Sequence, residues 1–237
     1  MPDRRDLPLL AAAFLLAAVC VGLGVWQLDR LRQRRARNAV VLAARARPPL
    51  SLRGIVPLDS ARERRVHARG RYDYAHERLW RPRSYEGIPG VDLVTPLRLP
   101  DGSAVLVDRG WALSPDAYHV DEGAYREGEA DGDTADAVGL GLPAPRGRGD
   151  VDPRVLQDSV PYPLLPFILQ QFPSDRPTIR QGLRRWPAPE VSDGPHLSYA
   201  VQWFSFATIL VVGSLALVRK RSSASSKPPR LAGSGYH

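Results

Sequence analysis

Residues 7–28, LPLLAAAFLLAAVCVGLGVWQL, and residues 199–218, YAVQWFSFATILVVGSLALV, contain no Asp, Glu, Lys or Arg and stand near opposite ends of a 237-residue chain. At about 1.5 Å of rise per residue, roughly 20 apolar residues match a hydrocarbon layer about 30 Å thick, so each stretch predicts a transmembrane helix. The polar segment between them is long enough to bury a core of its own, and its length suggests one domain. The sequence therefore reads as a membrane protein, two transmembrane α-helices flanking a β-rich domain that is an antiparallel sheet or small barrel, α+β in class. The boundaries fall at 1–6 for an N-terminal tail, 7–28 for the first span, 29–49 for a juxtamembrane helix, 50–194 for the domain, 195–218 for the second span and 219–237 for a disordered tail rich in Ser, Pro and Gly.

Working outward from the first span, Pro8 suits the first turn of a helix and Trp26 falls at interface depth. Leu28, Leu31, Val41 and Leu42 keep a loose helical spacing until Pro48-Pro49 stops it. Arg30, Arg32, Arg34, Arg35 and Arg37 directly follow the span, where the phosphate layer of the bilayer is their expected partner. The net charge of +8 comes almost wholly from Arg, with Lys only at 220 and 227, in a chain also rich in Ala, Pro and Gly. That pattern reads as codon bias rather than as a nucleic-acid surface. Cys20 is the sole cysteine and Met1 the sole methionine, which excludes an intramolecular disulfide, a CxxC pair and a soft-ligand copper site. The first apolar run is too long for a cleaved signal peptide and lacks an A-x-A site, while bulky Val19 disfavours lipoprotein cleavage before Cys20; an uncleaved anchor is expected. Charge does not set the orientation. Arg4, Arg5, Arg219, Lys220 and Arg221 favour both termini in the cytoplasm, but the arginines after the first span pull the other way.

From about Arg64 the pattern changes to short β-like runs separated by turn residues, with strands expected at Val66 to Tyr74, Arg78 to Ser84, Val91 to Leu99, Ala104 to Trp111 and Thr134 to Leu142. Pro100-Asp101-Gly102 is a hairpin turn, since Asp and Gly tolerate the positive φ that a tight turn demands. Asp116 to Asp133 reads as a loop. Residues 153–177 alternate prolines with Leu164, Leu165, Phe167, Ile168 and Leu169, and a helical turn and a strand both fit.

The sequence holds no G-x-S-x-G elbow, Walker loop, H-E-x-x-H or G-x-G-x-x-G after a strand, so an enzyme is not expected. Glu127 and Glu129 read as a solvated run, and His67, His76, His119 and His237 as surface residues. His196 is different, because Asp193-Gly194-Pro195 looks like a helix start and puts it in the first turn of the second span. A neutral imidazole there keeps a lone pair for a metal and makes an axial ligand for haem iron. Tyr199, Ala200, Trp203 and Ala207 follow at helical spacing on the same face, where rings beside small residues form a slot for a flat apolar group. A simpler account treats the aromatics as interface anchors and His196 as a helix-end hydrogen-bonding group. Gln202 is expected to face the first span or a cavity. Two accounts also fit Arg109: a salt-bridged strand end under Trp111, or, with Arg81 or Arg83, a cation facing the membrane that pairs with a haem propionate.

Gly24-Val25-Trp26-Gln27-Leu28-Asp29-Arg30, Gly70-Arg71-Tyr72-Asp73, Val94-Thr95-Pro96-Leu97 with Val105 to Trp111, and His196-Leu197-Ser198-Tyr199-Ala200 with Gln202-Trp203-Phe204 occur in an order that resembles the Surfeit locus protein family, in its bacterial type. Residues 112–190 show much less of the pattern. The resemblance implies an assembly factor of cytochrome c oxidase, with the β-rich domain extracytoplasmic and both termini cytoplasmic. It implies delivery or stabilisation of haem a in the oxidase catalytic subunit, with His196 at the position of the proposed haem ligand. The implied cofactor-binding set is His196, Tyr199, Trp203 and Arg109, and the implied partners are the oxidase catalytic subunit, haem-synthesis enzymes and the lipid bilayer, without nucleic acid. With no presequence before the first span, a bacterial-type cell membrane is expected. The alternative is a membrane-anchored scaffold for oxidase assembly that binds no haem.

Overall fold

The computed structural model describes residues 7–126, 134–145, 149–173 and 182–225. It divides into two compact units, Val40–Val191 and the combination of Met1–Ala39 with Ser192–His237. One helix, α1 (Leu7–Arg45), runs unbroken through the apolar stretch and the arginine-rich stretch beyond it, and it stops just short of Pro48-Pro49. Neither proline can continue a helix, and Pro48 disfavours helical backbone at the residue before it.

The Val40–Val191 unit is a barrel. Its elements are β1 (Leu50–Ser51), α2 (Leu58–Ala61), β2 (Arg65–Tyr72), β3 (Arg78–Tyr85), β4 (Ile88–Arg98), β5 (Ala104–Leu113), β6 (Ala135–Leu142), α3 (Pro153–Leu156) and β7 (Leu164–Gln171). The strand order is β1-β2-β6-β7-β5-β4-β3, and β2 also pairs with β4 through Arg71 with Arg98 and Tyr72 with Leu97. Strands β2, β6, β7, β5 and β4 thus close into a ring, the small barrel among the two sheet forms the sequence allowed. It is not purely antiparallel, because β7 runs parallel to β5 and β1 parallel to β2. Closure depends on glycine. A Cβ on Gly70 would stand 2.1 Å from the Arg98 carbonyl oxygen, and one on Gly139 would stand 2.0 Å from that of Gln170.

Alternate residues of β2, β4, β5, β6 and β7, including Val66, Ala68, Leu97, Val105, Val107, Ala137, Leu165, Phe167 and Leu169, point into one buried core. The outer faces of β4 and β5 are covered as well. Val94, Leu106 and Ile168 pack with Val151 and Leu156 of the α3 segment, and Val91, Leu93 and Ala112 pack with Tyr125. The expected hairpin joins β4 to β5, with Gly102 at φ +88° and Asp101 accepting from the Ser103 amide at 2.9 Å. Residues 153–177 hold both of the forms left open, a capped turn at Pro153–Leu156 and the strand Leu164–Gln171. The expected loop from Asp116 includes a 3-10 turn at Glu122–Tyr125, while Glu127 and Glu129 lie outside the described residues.

In the other unit the final helix, α4 (His196–Ser225), packs on α1. Ala17, Cys20, Gly24, Gln27 and Leu31 are the buried residues of α1, and their steps of three and four draw one stripe along it. Ala17 and Cys20 meet Ala207, Trp203, Leu210 and Val211. Small side chains let two helices approach closely. Gly24 makes room for a ring, since a Cβ there would come within 2.6 Å of the Phe204 side chain. Two expectations are corrected here. Residues 219–225, expected in a disordered tail, continue α4, and the rest of that tail lies outside the described residues. Gln202 is exposed, and the amide that enters the seam is Gln27.

Candidate functional site

His196 is the first residue of α4, half-buried, and the Pro195 carbonyl before it accepts the helix's first backbone hydrogen bond from Tyr199. Asp193 does not cap the helix through its side chain. Its carboxylate pairs with Arg35 Nε at 2.8 Å, while Asn38 and Arg34 donate to the Ser192 carbonyl at 3.0 and 3.1 Å. Two of the five arginines assigned to lipid phosphate, Arg34 and Arg35, therefore hold the segment that leads into α4.

The His196 ring is fixed on one side. Its Nδ1 lies 2.9 Å from Gln27 Oε1. An Nδ1–H that donated to that amide oxygen would leave Nε2 its lone pair. Beside Nε2 lies Gly194, at φ +69°, and a Cβ there would be 3.8 Å from the nitrogen. That backbone conformation favours glycine, and no side chain of residue 194 stands beside the nitrogen. One imidazole with Gln27 at Nδ1 and Gly194 beside Nε2 fits a single axial ligand for haem iron. Among the described residues there is no group of three or more His, Cys, Asp or Glu that could hold a bare metal ion.

The face assigned to an aromatic slot divides. Ala200 and Ala207 are buried and Trp203 is partly buried against α1, with its ring edge-on to Phe206 at 5.9 Å. Tyr199 is exposed at 46%. The stripe of His196, Ala200, Trp203 and Ala207 is thus the seam that α1 fills, and Tyr199 stands beside it.

Arg109 belongs to the barrel unit and is fully buried. Its guanidinium donates to Glu77 Oε2 at 3.0 Å and to the Tyr125 carbonyl, and lies 5.1 Å from the centre of each ring of Tyr72 and Tyr74. Thr95 also donates to Glu77. A group enclosed in this way offers no face to a propionate. The salt-bridged strand end is what the structure contains, with Glu77 rather than adjacent Asp108 as the partner. This arrangement accounts physically for Gly70-Arg71-Tyr72-Asp73: Gly70 permits closure, Tyr72 stacks on Arg109, and Asp73 caps the turn Tyr74–His76 by accepting from the Ala75 amide at 3.2 Å.

Arg83 is likewise engaged inside the unit, 2.5 Å from buried Asp92 and 4.2 Å above the Trp80 ring, and exposed Arg81 donates to the Tyr118 carbonyl. Burial pushes Asp92 up against the pull of Arg83. Complete burial, with the charge of Asp92 adding to it, pushes Asp108 up to about 8 despite Arg83. Sequence reasoning missed Gln27 and Glu77. Gln27 carried a readable signal, since it continues the spacing of Cys20 and Gly24 on an apolar helix. Glu77 carried none, because its partner Arg109 lies two strands away.

Comparison with known sequences adds a family. The profile of the SURF1 family matches residues 14–208. Uncharacterised SURF1-like proteins of Mycobacterium bovis and Mycobacterium tuberculosis are each 27% identical over 252 residues, covering 96% of this chain and 90% of theirs. A SURF1-like protein of Dictyostelium discoideum is 27% identical over 111 residues, covering 43% of this chain and 41% of its own.

Proposed function

The chain belongs to the SURF1 family, and on that premise we propose that it holds haem a through His196 Nε2 and helps to place or stabilise it in the catalytic subunit of cytochrome c oxidase. The family is one of assembly factors associated with that oxidase, not of enzymes. The observation that carries the haem reading is the His196 ring, tied at Nδ1 to Gln27 with the bare backbone of Gly194 beside Nε2. Haem is cargo here, and no bond in it need be broken. Ligation from one side suits a carrier, because a cofactor bound by one nitrogen can be released to an acceptor that supplies its own ligands.

Two helices long and apolar enough to cross a membrane support placing the protein in the cell membrane. In this reading both termini are cytoplasmic and the barrel lies outside, where it meets the oxidase subunit, while haem-synthesis enzymes supply the cargo. Arg109 is left out of the haem site, and Tyr199 and Trp203 border it.

Titrating the detergent-purified full chain with hemin tests the reading. A Soret shift that disappears in His196→Ala is expected. No binding by the unmodified protein would leave a scaffold without haem as the surviving function. A topology reporter fused after residue 50 is expected to report the outer compartment, and a cytoplasmic signal would overturn the placement.

A further inference from the structure

We propose that Gln27 is a positioning residue for haem binding: its side-chain carbonyl holds the His196 ring in the Nδ1–H form and turns Nε2 toward the iron. The inference rests on the proposed role of His196 and adds a residue that makes the ring a competent ligand. Gln27 lies at 9% exposure on the same stripe as Ala17, Cys20 and Gly24, so its amide sits in a seam otherwise built of apolar and small groups. A polar group there costs free energy unless it is hydrogen-bonded, and His196 Nδ1 at 2.9 Å is its hydrogen-bond partner across the seam.

An imidazole that is free to rotate offers either nitrogen in either tautomer. Tying Nδ1 leaves one nitrogen in one direction, so part of the ordering cost is met before the iron arrives. Gly194, with no side chain, lies beside that nitrogen. An acceptor behind a ligating imidazole also raises its basicity, and losing such a partner typically weakens metal binding by about 10–100-fold. An amide carbonyl polarises the ring less than a carboxylate does, which suits a site that must release its cargo.

The test uses the full chain in detergent with hemin as the probe, comparing the unmodified protein with Gln27→Leu, Gln27→Glu and His196→Ala. Gln27→Leu fills the seam but removes the acceptor, and its affinity is expected to fall by about 10–100-fold. Gln27→Glu keeps an acceptor and is expected to retain binding with a lower midpoint potential than the unmodified protein, because a carboxylate gives the ring more anionic character. Equal losses in both Gln27 variants would mark a packing role and overturn the inference. Unchanged affinity and potential in Gln27→Leu, with binding lost in His196→Ala, would overturn it while sparing the haem-carrier reading. Binding that survives His196→Ala, or is absent from the unmodified protein, would overturn both.

Discussion

Replacing Arg109 with Leu separates the two accounts of this arginine by a number. In the folded barrel Glu77 has 1% of its side chain exposed and Arg109 none, so removing the guanidinium leaves a carboxylate without its cation in the interior. Breaking a buried pair from one side costs about 3–5 kcal/mol, because the remaining charge has lost both water and partner. For a unit of roughly 150 residues each kcal/mol moves the melting temperature by about 2–4 °C, so the barrel of Arg109→Leu is expected to melt about 6–20 °C lower. Replacing both partners, in Glu77→Leu with Arg109→Leu, removes the orphaned charge and is expected to recover most of the loss. The assay is thermal unfolding of the full chain in detergent, followed by the fluorescence of Trp80, Trp111 and Trp186. A single variant within about 2 °C of the unmodified protein, or a double variant no better than the single, would refute the argument. Hemin binding by the double variant is expected to be unchanged. A loss of binding with an intact barrel would restore the propionate-facing account.

Other outcomes follow from other parts of the molecule. Asp108 is raised from 3.8 to about 8, so between those values the unfolded chain releases a proton that the folded chain keeps. Barrel stability should therefore fall as pH rises from about 4 to 8 and level off above, and Asp108→Asn should flatten that slope in melting curves taken across the range. Gly70→Ala puts a methyl against the Arg98 carbonyl, and a destabilisation of at least about 1–3 kcal/mol is expected. Faster amide exchange at the β2–β4 seam is the check on that variant. Gly24→Leu collides with the Phe204 ring. It should reduce oxidative cross-linking between native Cys20 and a cysteine introduced by Ala207→Cys, two positions that share one cluster.

The strands from Val66 to Trp111 were legible because each alternates or runs apolar between strong turn residues, and β2, β3, β4 and β5 start within three residues of where the pattern places them. Strand β7 was not, because Pro161, Pro163 and Pro166 mask a segment buried on nearly every residue, and periodicity cannot distinguish such a run from a buried turn. Closure was invisible too. It rests on two pairs between β2 and β4 and on glycines whose meaning appears only when the opposing carbonyl is in place. His196 stood out through its position at a helix start, a local property. The partner that gives its ring a direction is 169 residues away, and Glu77, at the end of a turn, likewise answers to a residue 32 positions on.

The parallel pairing of β5 with β7 has a consequence for biosynthesis. The last staves of the barrel leave the ribosome well after β2, β4 and β5, and at about 5–20 residues per second the interval amounts to seconds. Through that time the incomplete sheet exposes β5's unpaired edge, whose amides and carbonyls will accept any extended chain nearby. The nascent protein therefore has reason to depend on a holding chaperone until β7 is in place.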